Sequence, residues 1–354
     1  MDFLLYGANG YTAQLMLPLL RQYGLRPVLA GRSAGKIEPL ARAYDLPFRI
    51  FELNDAEATR EALQDVSLVL HCAGPFLHTA KPMLEACLQT RTHYLDITGE
   101  IGVFELAARL GDRAREQGIT LLPGSGFDVV PTDCLALFLH RQLPDATHLS
   151  LAFANVGSGL SQGTARTMAE GMGEGGAVRR NGKIVRVPLG HRAMEVDFGG
   201  LRRLVMAIPW GDVSTAFYTT GIPNIEVFTA VAPRTYRSLR WQKAFNWFLQ
   251  LRAVREFAKR RIDERPPGPS AERRAAALSY VWGEVRNAAG ATRQARLRSP
   301  DGYTLTAHSA LLIARKILAG AGRPGFWTPA GLFGPDLVLE IPGVERFYTE
   351  SENI

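Results

Sequence analysis

A glycine pattern, Gly7-x-x-Gly10-x-x-Ala13, stands between an apolar run and a helical run within the first fifteen residues. Each position has a physical job in binding a dinucleotide. Gly7 permits a tight turn, Gly10 lets the backbone reach a pyrophosphate, and Ala13 allows close helix–strand packing. The helix that follows points free N–H groups and the positive end of its dipole at the phosphates. Asn9, Tyr11 and Thr12 fill the same turn and join the glycines as cofactor-binding candidates. A glycine-rich turn without a ligand is the alternative. The end of the second apolar run chooses the cofactor. An NAD site places Asp or Glu there for the ribose 2′-hydroxyl, and that acid would repel a 2′-phosphate. Here Gly31-Arg32-Ser33 occupies the position, with Lys36 one turn on. Arg32 can clamp a phosphate as a planar fork, while Ser33 and Lys36 add a donor and a charge, so the expected cofactor is NADP, as NADPH. Solvated helix-start residues are the plain alternative for Arg32 and Lys36.

A hydride-transfer enzyme asks three things of its protein: cofactor orientation, a donor for developing charge, and exclusion of water. In an open α/β sheet these groups gather at the carboxyl ends of the strands. Cys72, Ala73, Gly74, Pro75 and Phe76 end the fourth apolar run and are expected to line the pyrophosphate or the nicotinamide ribose. Asp96, Thr98 and Asp128 end later runs and are candidates for the nicotinamide region, with Asp96 and Asp128 as catalytic carboxyls. Capping of the following helices explains each of them equally well. Asp133, at a helix start, reads as structural. His191 is a second-rank acid, and Ser161-x-Gly163-Thr164 is either an anion loop or a capped helix start. No Ser/His/Asp spacing, HExxH or Cys/His cluster offers hydrolysis or a metal.

The elements that must position these groups alternate strictly up to residue 122. Apolar strands at 2–6, 27–30, 48–53, 66–73, 93–97 and 119–122 are separated by amphipathic helices. That alternation specifies an α/β fold with a doubly wound, parallel, Rossmann-type sheet. Beyond Pro131 strand-like segments cluster at 148–154, 184–188, 204–208, 225–231, 280–286 and 291–297 without regular helices between them. They suggest an inserted α+β substrate domain built on an antiparallel sheet covered on one face. The expected division is 1–131 for cofactor, 132–302 for substrate, and a C-terminal segment, 303–354, returning to the first domain.

The composition is that of a globular protein, 46% hydrophobic and 21% charged over 354 residues. Cys72, Cys87 and Cys134 lack CxxC spacing and read as reduced thiols of a cytoplasmic protein. The chain opens directly on a strand without a basic leader, and no apolar run reaches spanning length. Its net charge of +7 is concentrated between Arg234 and Arg296, where fifteen Lys/Arg face five acids, a local +10. No nucleic-acid-binding motif accompanies that charge. Within it, 236–262 reads as one basic amphipathic helix, with Trp241, Phe245, Phe248, Leu251, Val254 and Phe257 on one side. Such a face suits packing on the substrate domain, a homodimer contact, or peripheral contact at the inner membrane face.

Several segments together resemble the saccharopine dehydrogenase-like oxidoreductases. They are the turn at 7–12, Ala30-Gly31-Arg32, Cys72-Ala73-Gly74-Pro75-Phe76, the segments 93–100 and 126–133, and in the tail Thr328-Pro329-Ala330 with 334–339. The branch of trans-acting enoyl reductases is the nearest in this pattern. The likeness is specific over 1–135, looser over 150–230, and returns at 303–345. It implies an NADP-dependent reductase with a discontinuous cofactor domain, and it marks the segment around Tyr218 as substrate-facing, which makes that phenol an acid candidate. The function expected is hydride transfer from NADPH to a C=C, C=N or C=O bond of a small or lipid-derived substrate. A saccharopine-type amino-acid reductase, and a non-catalytic NADP-binding scaffold at membranes, are the alternatives.

Overall fold

The computed structural model describes residues 3–241, Leu249 and 251–349. The chain divides into two compact units, one of residues 1–130 with 303–332 and one of 131–302 with 333–354.

The first unit holds a seven-stranded parallel sheet. Its strands are β1 (Phe3–Tyr6), β2 (Val28–Gly31), β3 (Phe48–Ile50), β4 (Leu68–His71), β5 (His93–Asp96), β6 (Thr120–Leu122) and, from the C-terminal segment, β15 (Gly325–Phe326). Their order is β15-β6-β5-β4-β1-β2-β3, every pair parallel. The central strands are largely apolar because helices cover both faces; Phe3, Leu4, Leu5, Leu68, Val69 and Leu70 are all fully buried. The order reverses between β1 and β4, so their following loops diverge and leave a crevice there, the switch point at which such sheets bind ligands.

The second unit carries a nine-stranded sheet. Along it run β10 (Ala193–Asp197), β11 (Arg202–Ala207), β12 (Asn224–Ala230), β7 (Ala146–Val156), β13 (Leu278–Asn287), β14 (Thr292–Pro300) and β16 (Glu345–Thr349); β8 (Gly176–Arg180) pairs with β12 and with β9 (Lys183–Val187). The helix Val130–Gln142 lies on one face. A Cβ at Gly283 of β13 would stand 2.8 Å from Leu139, so only glycine lets that helix approach so closely.

Three expectations are corrected. The second sheet is mixed, because β7 and β12 run parallel, Asn224 opposite His148. The long connection between them, with helices Gln162–Glu170 and Asp212–Thr220, returns the chain in the same direction. The segment 303–354 divides between the units: 303–332 joins the first through the helix Gly302–Lys316 and β15, whereas 333–354 joins the second because β16 pairs with β14. The stretch 236–262 is not one helix. Leu251 is extended (φ −60°, ψ 130°) and starts a separate helix, Arg252–Asp263, on which Phe257 is exposed. Phe245 and Phe248 lie outside the described residues, as does the side chain of Trp241. No helix among the described residues is long and apolar enough to cross a membrane.

Candidate functional site

At the end of β1 the N–H groups of Gly7 and Ala8 both donate to the Ala30 carbonyl (2.8 and 3.1 Å), and Gly10 N–H closes the turn on the Gly7 carbonyl (2.8 Å). Gly7 has φ +80°, and a Cβ there would stand 2.8 Å from Ala73 and 2.9 Å from the carbonyl carbon of Cys72. The glycine turn therefore packs directly on the loop that follows β4, which brings Cys72 and Ala73 to it. Gly10 has ordinary backbone angles (φ −70°, ψ 152°) and precedes the helix Tyr11–Met16 without contributing a side-chain cap. A Cβ at Gly10 would meet only the Gly7 carbonyl oxygen at 3.1 Å and the Cys72 oxygen at 3.7 Å. The cradle is thus the kind a side chain would fill, as a pyrophosphate site requires. Tyr11 stacks edge-on against Tyr303 (5.2 Å), and Thr12 is half-buried one residue on.

At the end of β2, Ser33 is extended and precedes the helix Ala34–Tyr44, yet its hydroxyl does not cap that helix. Arg32 and Lys36 are exposed, and among the described residues neither takes part in an ion pair or a side-chain hydrogen bond. Burial pushes the Tyr6 phenol up to about 12, against the opposing charge of Arg32. Asn9 lies over this strand end: a Cβ on Gly31 would come within 3.4 Å of its Oδ1. A shallow groove of about 420 Å3 runs from Asn9 and Gln14 to Lys36, floored by Pro39, Leu40 and Ala43. Residues 7–14 and 31–36 are thus neighbours in space.

The loop after β4 holds Gly74 exposed, Pro75 half-buried and Phe76 buried. Its helix, Phe76–Thr90, has its N-terminus filled by a side chain from the loop after β5. The Glu100 carboxylate accepts from the N–H groups of Phe76 (2.9 Å) and Leu77 (2.7 Å). Twenty-four residues separate cap and helix, so no local signal could have revealed the pair. His71 at the end of β4 is fully buried and held neutral, burial lowering it to about 3, with Nε2 3.0 Å from Thr79 Oγ1.

Of the carboxyl candidates, Asp96 is fully buried and its oxygens are taken. It accepts from Tyr94 Oη (2.7 Å), Thr98 N–H (3.0 Å) and Gly124 N–H (2.8 Å). It ties the loop after β6 to the end of β5. Burial drives it up to about 7 against those hydrogen bonds. Asp128 is half-buried and packs closely against Gly99: a Cβ there would stand 2.6 Å from its Oδ2 and 3.0 Å from its Cβ. Burial, and then the charge of Glu100, push Asp128 up to about 7, where a carboxyl can give or take a proton at neutral pH.

The second unit holds the other candidates. Tyr218 is 43% exposed on the helix Asp212–Thr220, its ring against Phe217. His191 Nε2 sits 2.9 Å from Glu226 Oε1, Ser161 caps the helix Gln162–Glu170, and Asp133 accepts from Thr219 Oγ1. No group of three potential metal ligands occurs among the described residues.

Residues 3–122 match the model of the saccharopine dehydrogenase NADP binding domain. A saccharopine dehydrogenase-like oxidoreductase of Rattus norvegicus is 25% identical over 204 residues, 51% of this chain and 48% of its own. A probable mitochondrial saccharopine dehydrogenase-like oxidoreductase of Arabidopsis thaliana is 30% identical over 158 residues, 40% of this chain and 35% of its own. A trans-acting enoyl reductase of Mycobacterium leprae is 28% identical over 150 residues, 40% of this chain and 36% of its own. The chain thus spans about half the length, or less, of these curated relatives. Saccharopine dehydrogenase (L-Glu forming) of Saccharomyces cerevisiae superposes with a TM-score of 0.67 at 13% identity, covering 98% of this chain and 99% of that one. The homospermidine synthase of Legionella pneumophila, solved with NAD, gives 0.64 at 11% identity over 100% of this chain and 93% of that one. At such identities the likeness is one of fold.

Proposed function

We propose, from the match of residues 3–122 to the saccharopine dehydrogenase NADP binding domain, that this chain is an NADPH-dependent oxidoreductase reducing a C=C, C=N or C=O bond of a small or lipid-derived substrate. The observation that carries the cofactor assignment is the cluster at the end of β2. Arg32, Ser33 and Lys36 stand there with no acidic residue in the first turn of the helix they open. A 2′-phosphate would find two cations and a hydroxyl, and an NAD ribose would find no carboxylate. Gly7 and Gly10 leave the room a pyrophosphate needs, and Asn9, Tyr11 and Thr12 flank it. Cys72 to Phe76 form the opposite wall of the crevice, where the nicotinamide end would rest.

The bound cofactor supplies the hydride; the protein's share is orientation and a proton. Asp128 is the donor we assign, because it lies at the carboxyl ends of the strands with its pKa near neutrality. Asp96 positions the loop that carries it, since Asp96 holds Gly124 and Ser125 to β5. Tyr218 of the second unit is the alternative acid. The M. leprae relative, named an enoyl reductase, favours C=C among the three bonds.

Titration of NADPH and NADH by protein fluorescence tests the cofactor assignment. NADPH should bind more tightly, and Arg32→Ala should weaken NADPH by roughly 1–3 kcal/mol while leaving NADH almost unchanged. Equal affinities in the wild type would refute it. Oxidation of NADPH with an enoyl thioester, set against a 2-oxo acid plus amine, separates C=C reduction from saccharopine-type chemistry. No turnover with any acceptor would favour a scaffold.

A further inference from the structure

The second unit carries a cavity on one face of its own sheet, lined by residues of that unit. Because side chains alternate across a strand, the pairing registers stack two rungs on that face. Asn224, His148 and Arg286 form one, from β12, β7 and β13; Glu226, Ser150 and Glu284 form the next. Arg180, at the end of β8, and Arg192 stand at the rim of the same cavity, which has a volume of about 440 Å3. That lies within the range of roughly 300–1,000 Å3 typical of small-molecule sites.

The charges are unequally committed. Glu226 is held by His191 and by Arg192 Nη1. Among the described residues Glu284 accepts one hydrogen bond, from Gln294 Nε2 (2.7 Å), so its carboxylate keeps capacity for further donors. Arg180 and Arg286 are exposed, and among the described residues neither forms an ion pair. Arg179 stiffens the wall: it is 5% exposed, donates to the carbonyls of Val213 (2.8 Å) and Gly182 (2.7 Å), and stacks over Phe217 at 4.1 Å. Burial, and then the charge of Arg286, lower the pKa of His148, which shares its rung with Arg286. Two uncommitted guanidinium forks beside a carboxylate with open lone pairs suit a ligand with an anionic end and a hydroxylated body.

We infer that this sheet-face cavity is a second binding site, for a small phosphate ester bearing hydroxyl groups. The phosphate would lie between Arg180 and Arg286, and the hydroxyls would donate to Glu284.

The test is isothermal titration of the full chain, saturated with NADP so that the dinucleotide site is filled, using ribose 5-phosphate, inorganic phosphate and ribose as probes. Ribose 5-phosphate should bind more tightly than phosphate, and ribose should give no heat. Arg180→Gln and Arg286→Gln should each weaken ribose 5-phosphate by about tenfold or more, as the loss of a charge-assisted bond implies. Glu284→Gln should weaken ribose 5-phosphate and leave phosphate unchanged. Both arginines are exposed, so an unchanged melting temperature will establish that these variants fold. Absence of binding to the wild type, binding indifferent to both arginines, or binding lost when NADP is added would each overturn the proposal.

Discussion

Gly7 and Gly10 are both motif glycines, yet the structure demands glycine at them for different reasons, and alanine at each should separate fold from ligand. At Gly7 an alanine would meet two costs. Its φ of +80° is strained for an L-residue by about 1–2 kcal/mol. Its Cβ would also stand 2.8 Å from Ala73 Cβ and backbone N, well inside the ~3.5–4.0 Å of a normal carbon contact. Those neighbours are backbone and a methyl group, which cannot swing away, so overpacking adds about 1–3 kcal/mol. The sum, about 2–5 kcal/mol, should lower the melting temperature of the first unit by roughly 5–15 °C. At Gly10 the angles are ordinary and the closest atom is the Gly7 oxygen at 3.1 Å, so alanine should cost under about 1 kcal/mol and barely move the melt. NADPH affinity should nevertheless fall tenfold or more in Gly10→Ala, and vanish in Gly10→Val, because the added carbon takes the pyrophosphate's place. Differential scanning calorimetry beside cofactor titration reads both quantities. A Gly7→Ala protein that melts with the wild type, or a Gly10→Val protein that still binds NADPH normally, would refute this account.

Asp128 is raised to about 7 in the folded chain, so folding favours its protonated form. Its contribution to stability is fully present below its ordinary pKa near 4, falls as pH rises, and is lost above about 7, a change on the order of a few kcal/mol. Thermal melts from about pH 4 to pH 8 should therefore show a smaller decline in Asp128→Asn. In Glu100→Ala the decline should move to lower pH, with about 1 kcal/mol lost from the uncapped helix Phe76–Thr90; an unaltered profile in both variants would exclude this origin. Asp96→Ala strands three buried donors, from Tyr94, Thr98 and Gly124, and should cost about 3 kcal/mol or more in denaturant melts; a loss under about 1 kcal/mol would mean the carboxylate holds nothing.

The strand–turn–helix at 3–16 and the basic end of β2 were legible from a handful of neighbouring residues. Glycine's freedom, the helix dipole and the sign of a side chain act locally, so Gly7, Gly10 and Arg32 carry their meaning wherever the fold puts them. The parallel sheet was legible for a similar reason, since β1 and residues 68–70 of β4 must be apolar on both faces to be covered on both. Pairings between distant segments were not. Nothing near Glu100 shows that it caps a helix beginning at Phe76, nor does anything near Asp96 show that Gly124 will donate to it. The parallel pairing of β7 with β12, the return of 345–349 to β14, and the rungs that carry Arg286 and Glu284 likewise join residues that sequence spacing keeps apart. Periodicity tells a residue which face it occupies, and only the packed chain decides what stands opposite: whether an aspartate at a strand end is enclosed by three donors, as Asp96 is, or rests against a glycine with a pKa near neutrality, as Asp128 does.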